Sequence, residues 1–251
     1  MGLKYRINIL LDTPERTMLH RKIILSKPFL KKIYIEWYEA FILELNLLPQ
    51  GKVVELGAGG SFIKDLIPNI IATDILPLPT NDMTFSALKI PFNDSSVSAF
   101  FMTDTFHHLQ DAQLFLTEAN RVLMKNGKLI MVEPCASLWG KFIFSCFHQE
   151  PFNPQGNWQL QEEGPLSCAN TALPWIVFIR DKIKFKELFP DLEIEEITFH
   201  TPFRYLLSGG VSYKQLVPDF SFPLFSKIDH FLGALSSQIS MFMTIKVKKI
   251  N

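Results

Sequence analysis

The run Val53-Val54-Glu55-Leu56-Gly57-Ala58-Gly59-Gly60-Ser61, followed by a second apolar run, Ile70-Ile71-Ala72-Thr73, that closes on Asp74, constrains this chain most. Strand-length apolar residues running into clustered glycines predict a strand, a glycine turn and a helix. Glycine permits positive φ and leaves no Cβ between a ligand and the amides at the helix start. A carboxylate at the end of the second strand can accept both hydroxyls of a ribose in charge-assisted hydrogen bonds. The pair reads as a cradle for an adenosine-containing cofactor; an ordinary tight turn is the alternative for the glycines alone.

Glycine placement narrows the cofactor. A dinucleotide fingerprint requires a small residue at position 62, which is Phe62, a ring that would hold a pyrophosphate off the helix. Glu55, two positions before the first glycine, repels phosphate and suits a cation such as the amino or sulfonium group of S-adenosylmethionine.

The 251 residues carry no formal net charge, with 47% hydrophobic and 20% charged residues, which is the balance of a globular chain. Nucleic acid as the main partner would need a local basic patch; Lys31-Lys32 and Lys246 to Lys249 are short and read as solvated ends. Cys135, Cys146 and Cys168 show no metal spacing, and an odd count argues against a disulfide framework. Met1-Gly2-Leu3-Lys4-Tyr5-Arg6 lacks a signal-peptide core, Arg6 breaks a myristoylation pattern, and no apolar stretch is long enough to span a bilayer. The expectation is a cytoplasmic protein with no resident metal and no transmembrane segment.

Residues 1–50 read as a helical cap, with Leu30, Ile33, Trp37, Phe41, Leu45 and Leu48 at three- and four-residue steps on one face, mostly as core packing. Residues 51–134 read as the cofactor-binding core, with strands and helices alternating around a parallel sheet. Apolar runs at Ser96 to Met102 and Lys128 to Val132 suit central strands covered on both faces. Ligands in such sheets sit beyond the carboxyl ends of the strands, which places Gly57, Asp74, Thr103-Asp104 and Glu133 along one rim. Residues 135–180, rich in Trp and Phe, read as a lid selecting an apolar or ring-bearing small molecule, or else as a second small core. Residues 181–251 complete the sheet, with an insertion at 200–240 containing a glycine turn at Ser208-Gly209-Gly210-Val211-Ser212.

Four blocks in order carry a likeness: Glu55-Leu56-Gly57-Ala58-Gly59; Asp74-Ile75; Ile90-Pro91-Phe92 with Asp94-Ser95-Ser96-Val97; and Phe106-His107-His108-Leu109 leading to Glu118-Ala119-Asn120-Arg121-Val122-Leu123 and Gly127 to Pro134. The stretch from about Val53 to Pro134 resembles class I S-adenosylmethionine-dependent methyltransferases, in particular the small-molecule group that includes quinone-biosynthesis enzymes. The resemblance implies a Rossmann-like, mostly parallel seven-stranded sheet with helices on both faces and an antiparallel last strand. It implies S-adenosylmethionine as co-substrate, held by Glu55, Gly57, Ala58, Gly59, Asp74, Ile75, Ser86, Ala87, Thr103 and Asp104. Ser86-Ala87 stands where the family carries an acidic residue that meets the adenine amino group, which implies a weaker grip there, and Ser98 stands where the family carries Asp.

Methyl transfer by in-line displacement gains most from positioning, so a base is optional. For a hydroxyl acceptor the candidates are His107 and His108, then His148. Each can equally serve to shape the pocket, and His148 with Glu150 shows no third metal ligand. Two other readings stay open: a scaffold that kept the fold without turnover, and a nicotinamide-dependent oxidoreductase. The acceptor atom and the oligomeric state are not legible.

Overall fold

A computed structural model describes residue 5, residues 7–161 and residues 164–251. The reading of Met1 to Arg6 falls largely on residues 1–4 and 6, which lie outside the described residues. Among the described residues no helix is long and apolar enough to cross a membrane.

Two N-terminal helices open the chain. Thr13 caps α1 (Pro14–Ser26), its hydroxyl accepting from Arg16 N at 3.2 Å. Pro28 forces Lys27 into extended backbone and so separates α1 from α2 (Pro28–Leu45). The predicted stripe is core: Leu30, Ile33, Trp37 and Phe41 are buried, and Leu45 and Leu48 pack at the margin of the same cluster.

The sheet has seven strands in the order β3-β2-β1-β4-β5-β7-β6. These are β1 (Lys52–Leu56), β2 (Ile71–Asp74), β3 (Met83–Thr84), β4 (Val97–Thr103), β5 (Leu123–Pro134), β6 (Leu192–His200) and β7 (Phe242–Lys249). The first five run parallel, and β7 enters antiparallel between β5 and β6. Alternate side chains of the central strands feed two cores. Phe100, Met102, Leu129 and Met131 join one with α3 (Ala112–Val122); Ala99, Phe101, Ile130 and Val132 join the other with α2 and α4 (Leu138–Phe147). Helices thus cover both faces.

The strict strand–helix alternation expected before Pro134 is not found. After Gly57 the chain makes a single 3-10 turn, Ile63–Asp65, where a helix was expected. Phe62 leaves helical φ/ψ and is buried against Tyr38, and Pro68 lies too soon for a helix to develop. α3 is the one α-helix among the described residues between β1 and β5.

The basic end at Lys246 to Lys249 is also not simply solvated. Lys246 bridges Glu44 at 2.8 Å and Glu196 at 2.7 Å, Lys128 bridges Glu44 at 2.7 Å and Glu195 at 2.6 Å, and Lys249 donates to the carbonyls of Asn120 and Leu123. These charges tie the end of α2 to the middle of the sheet.

The region after β5 holds α4, a loop, α5 (Leu173–Trp175) running into a π turn (Ile176–Arg180), and α6 (Lys182–Leu188). Between β6 and β7 lie α7 (Arg204–Ser208) and α8 (Phe222–Leu235). Arg204 joins Asp229 of α8 at 2.9 Å and Glu36 of α2 at 2.6 Å.

Phe41 is fully buried and stacks on Phe101 of β4 with ring centroids 4.6 Å apart. Phe41→Ala is therefore expected to cost ~3–5 kcal/mol of stability, and Phe41→Leu less, read from urea denaturation midpoints. Equal midpoints for wild type and Phe41→Ala would show that α2 does not depend on this contact.

Candidate active site

The carboxyl ends of β2, β1 and β4 open onto one cavity of about 440 Å³. Its wall contains all ten residues expected at a cofactor site: Glu55, Gly57, Ala58, Gly59, Asp74, Ile75, Ser86, Ala87, Thr103 and Asp104. His108 and Glu150 line it too, whereas His107 and His148 do not.

The glycine loop is shaped by what lies behind it. Gly57 has φ of +67°, and a Cβ there would stand 2.2 Å from Thr105 Cγ2. Ala58 N donates to Thr73 O at 2.8 Å and Gly59 N to Asp74 Oδ2 at 2.9 Å. These amides lock the loop onto β2 and do not form an anion-binding helix start, because that helix is absent. Asp74 also accepts from Leu76 N at 2.8 Å, so two amides orient its carboxylate while further lone pairs remain. Ser86 Oγ accepts from Leu88 N at 3.2 Å in a local turn. Ser98 lies near the amino end of β4, away from the cavity, donating to Lys52 O at the start of β1 at 2.9 Å.

Glu55 is buried, and its Oε2 has no hydrogen-bond partner among the described residues; Thr103 Oγ1 is in the same condition. Burial, reinforced by nearby Asp74, pushes the Glu55 carboxyl up to about 8. Enclosure also lifts Asp104 to about 7; its backbone is left-handed, with φ of +56°.

Beside this wall, Glu133 at the end of β5 is wholly buried. It accepts from Thr105 N at 2.8 Å, Phe106 N at 2.6 Å and His107 Nδ1 at 2.8 Å. The far nitrogen of His107 lies 3.2 Å from Glu150 Oε2. Burial alone would depress His107, but its bonds to Glu133 and Glu150 outweigh it and hold the imidazole well above its ordinary value. His108 is different: burial, with the charge of His107, lowers it to about 4. Its Nδ1 donates to Cys168 O at 2.9 Å, which turns Nε2 toward Glu150. His148 accepts from Glu150 N at 3.3 Å and sits against Phe144.

The aromatic side chains of residues 135–180 do not line the cavity. Phe144, Trp158 and Phe178 are buried in the two cores, and Phe142 and Phe147 are exposed. What this region brings to the cavity is Glu150, Gly164, Pro165, Leu166 and Cys168; the rings that line it are Tyr34, Tyr38 and Phe85, with His20 and His108. Asp12 pins the segment, accepting from Leu166 N at 2.7 Å and Ser167 N at 2.9 Å. Neither Asp12 nor Tyr34 was marked by any local motif, because Tyr34 reaches the cavity, and Asp12 the segment that lines it, by long-range contacts. Val211, within the predicted glycine turn, lines the cavity, and buried Lys27 secures that turn through the carbonyls of Ser208, Gly210 and Tyr213.

A family model described as "Methyltransferase domain" matches residues 55–131, the segment from Glu55 through most of β5. That segment is similar to a methyltransferase domain, and the sheet around it has the Rossmann-like methyltransferase fold. Solved methyltransferases share its fold. Geranyl diphosphate C-methyltransferase from Streptomyces coelicolor A3(2), crystallised with Mg2+, geranyl-S-thiolodiphosphate and S-adenosyl-L-homocysteine, gives a TM-score of 0.51 at 14% identity, over 95% of this chain and 83% of that one. A geranyl diphosphate methyltransferase bound to GPP and sinefungin gives 0.51 at 11% identity, over 87% and 80%. A complex of the Haloferax volcanii Trm112 methyltransferase activator with a methyltransferase gives 0.50 at 13% identity, over 96% and 97%. At such identities the likeness is one of fold. Comparison with curated proteins gives no match.

In the native state Glu55 holds a proton up to about pH 8, whereas the unfolded carboxyl ionises near its ordinary 4.5. Between those values the folded form binds more protons, so stability falls as pH rises from about 4.5 through about 8. Glu55→Gln is expected to remove that slope and to be the more stable protein at pH 8, by up to a few kcal/mol. Thermal melts across the window check it; parallel curves for the two proteins would contradict it.

Proposed function

We propose that this domain transfers the methyl group of S-adenosylmethionine to a small-molecule acceptor inside the cavity. The observation that carries the reading is one continuous wall that holds Glu55, the Gly57–Gly59 loop and Asp74 at the ends of β1 and β2, and His108 with Glu150 beyond the end of β4.

The residues fit the co-substrate by their own chemistry. Glu55 Oε2 and Thr103 Oγ1 are buried, unpaired and on the wall, so a cationic ammonium and its hydrogen-bond donors answer a need that the protein leaves open. Asp74, oriented by two amides, takes the ribose hydroxyls, and Ile75, 52% exposed at the mouth, supplies an apolar surface for the adenine. Ser86 and Ala87 line the adenine edge, and Thr103 and Asp104 lie under the methionine portion. Bound S-adenosylmethionine supplies an electrophilic methyl carbon; the protein's part is to exclude water and align the acceptor.

The acceptor side has Tyr34, Tyr38, Leu109, Leu166 and Val211 on its wall, which suits an apolar or ring-bearing molecule. Of the three histidines, His108 is the one that both reaches the cavity and turns an unprotonated Nε2 toward it. His107 shapes the wall from behind, and His148 supports the backbone of Glu150.

Titration calorimetry with S-adenosylmethionine, S-adenosylhomocysteine and NAD tests the reading. The first two are expected to bind, and Asp74→Ala to weaken both by roughly 10- to 100-fold, the loss of charge-assisted hydrogen bonds of about 1.5–3 kcal/mol. Binding of NAD alone would point to an oxidoreductase, and binding of none to a scaffold. Gly57→Ala, which would drive a Cβ into Thr105, is expected to abolish binding in a chain that still folds.

A further inference from the structure

His107, His108 and Glu150 each offer one ligand atom, and the three atoms lie within 4.8 Å of one another. Nε2 of His107 is 3.2 Å from Glu150 Oε2, and Nε2 of His108 is 3.8 Å from Glu150 Oε1. Ligands held about 2.0–2.2 Å from a shared ion stand about 3–4 Å apart, and both separations fall in that range.

The outer nitrogens carry the argument further. His107 Nδ1 donates to Glu133 Oε2 at 2.8 Å, and His108 Nδ1 donates to Cys168 O at 2.9 Å. Metal-ligating imidazoles are held in this way, with one ring N–H given to a carboxylate or carbonyl so that the other nitrogen points at the ion. An imidazolium bridging Glu133 and Glu150 accounts for His107 alone. It gives no reason for the second imidazole to be fixed in the tautomer that turns its lone pair on the same carboxylate.

The region after β5 is anchored so as to deliver that carboxylate. Asn170 N donates to His107 O at 2.9 Å, Thr171 N to Pro151 O at 3.0 Å, and Leu160 N to Gln110 O at 2.8 Å. These bonds clamp the segments flanking Glu150 and Cys168 onto the histidine pair.

We propose that His107, His108 and Glu150 bind one divalent transition-metal ion, with a coordination position open to the cavity for a hydroxyl oxygen of the methyl acceptor. Two imidazole nitrogens and one carboxylate favour Zn2+, Mn2+, Fe2+ or Co2+ over Mg2+ and Ca2+, which prefer oxygen throughout. Methyl transfer moves no net electrons between substrates and metal, so a redox-inert ion such as Zn2+ suffices as a Lewis acid that makes the hydroxyl more acidic. The acceptor oxygen gains the methyl carbon as the carbon–sulfur bond breaks, its proton leaves to water, and the sulfonium becomes a neutral thioether. This use of the ion rests on the methyl-transfer reading above; the ion site does not.

The test is metal uptake by the untagged full-length chain after chelator treatment and desalting, with Zn2+, Mn2+ and Co2+ titrated separately. Bound metal is read by elemental analysis and the Co2+ form by its visible absorption. One equivalent is expected in the wild type. His108→Ala and Glu150→Gln should each weaken uptake at least 10-fold, and Glu133→Gln, acting through His107, by about 10- to 100-fold. His230→Ala, an exposed histidine on α8, should leave it unchanged. No stoichiometric uptake, or uptake unaltered in both His108→Ala and Glu150→Gln, overturns the site. Circular dichroism and S-adenosylmethionine titration of the same samples separate misfolding from lost ligation. Cofactor binding without metal uptake defeats this inference alone, and metal uptake without cofactor binding defeats only the methyl-transfer reading.

Discussion

The buried carboxylate of Glu133 is the constraint on which the rest of the site depends. It accepts from two consecutive backbone amides, Thr105 and Phe106, and from the His107 ring. That triple acceptance fixes the turn after β4, and the turn fixes two walls. Thr105 lies against Gly57, donating to its carbonyl at 3.2 Å, so the glycine loop can pass only without a side chain. His107 reaches the other way to Glu150, and the region after β5 closes on that contact. Breaking one partner of such a buried, hydrogen-bonded set costs about 3–5 kcal/mol, because the survivors keep their desolvation without their bonds. Both ends of the cavity therefore rest on one side chain at the tip of a central strand.

Much of the architecture was legible because periodicity reports burial directly. The continuous apolar residues of β4 and β5 and the stripe of α2 follow from two-sided and one-sided covering. The completion of the sheet by residues 181–251, with an antiparallel last strand, came instead from the family likeness, and the structure supplies it as Leu192–His200 and Phe242–Lys249. What failed had a local signal that a distant contact overruled. Gly57 to Ser61 has the composition of a turn into a helix, yet Phe62 leaves the helical path to pack beneath Tyr38, and Pro68 ends the opportunity. Lys246 has the composition of a solvated tail, yet it faces Glu44 across the sheet.

The aromatic residues between 135 and 180 show a different limit. Sequence density of Phe and Trp says that apolar surface must be buried, but not which cavity or core receives it. Here Trp158 and Phe178 join the core beneath α3, and Phe144 joins the core beside α2. The loops between them, short of apolar signal, carry Glu150 and Cys168 to the cavity. Those roles depend on pairings such as Thr171 N to Pro151 O, between residues twenty apart with no periodic relation, so no window of sequence displays them.

The electrostatics of the cavity decide what class of ligand it can hold. Glu55, Asp74, Asp104 and Glu150 line it, while the histidines that also line it, His20 and His108, are both lowered to about 4 by burial and so carry no charge near neutrality. Enclosure raises Glu55 and Asp104, since packing acids together out of water penalises their charged forms. A cation restores those charges and is drawn in, whereas a pyrophosphate would meet carboxylates with no arginine or lysine among the described residues of the wall to balance it. The chain is neutral overall, so this preference arises from placement alone. Acids occupy the carboxyl ends of the strands, and basic side chains such as Lys128, Lys246 and Arg204 are committed to ion pairs elsewhere. The same field that disfavours a dinucleotide suits a sulfonium and, at the polar end beside Glu150, a divalent ion.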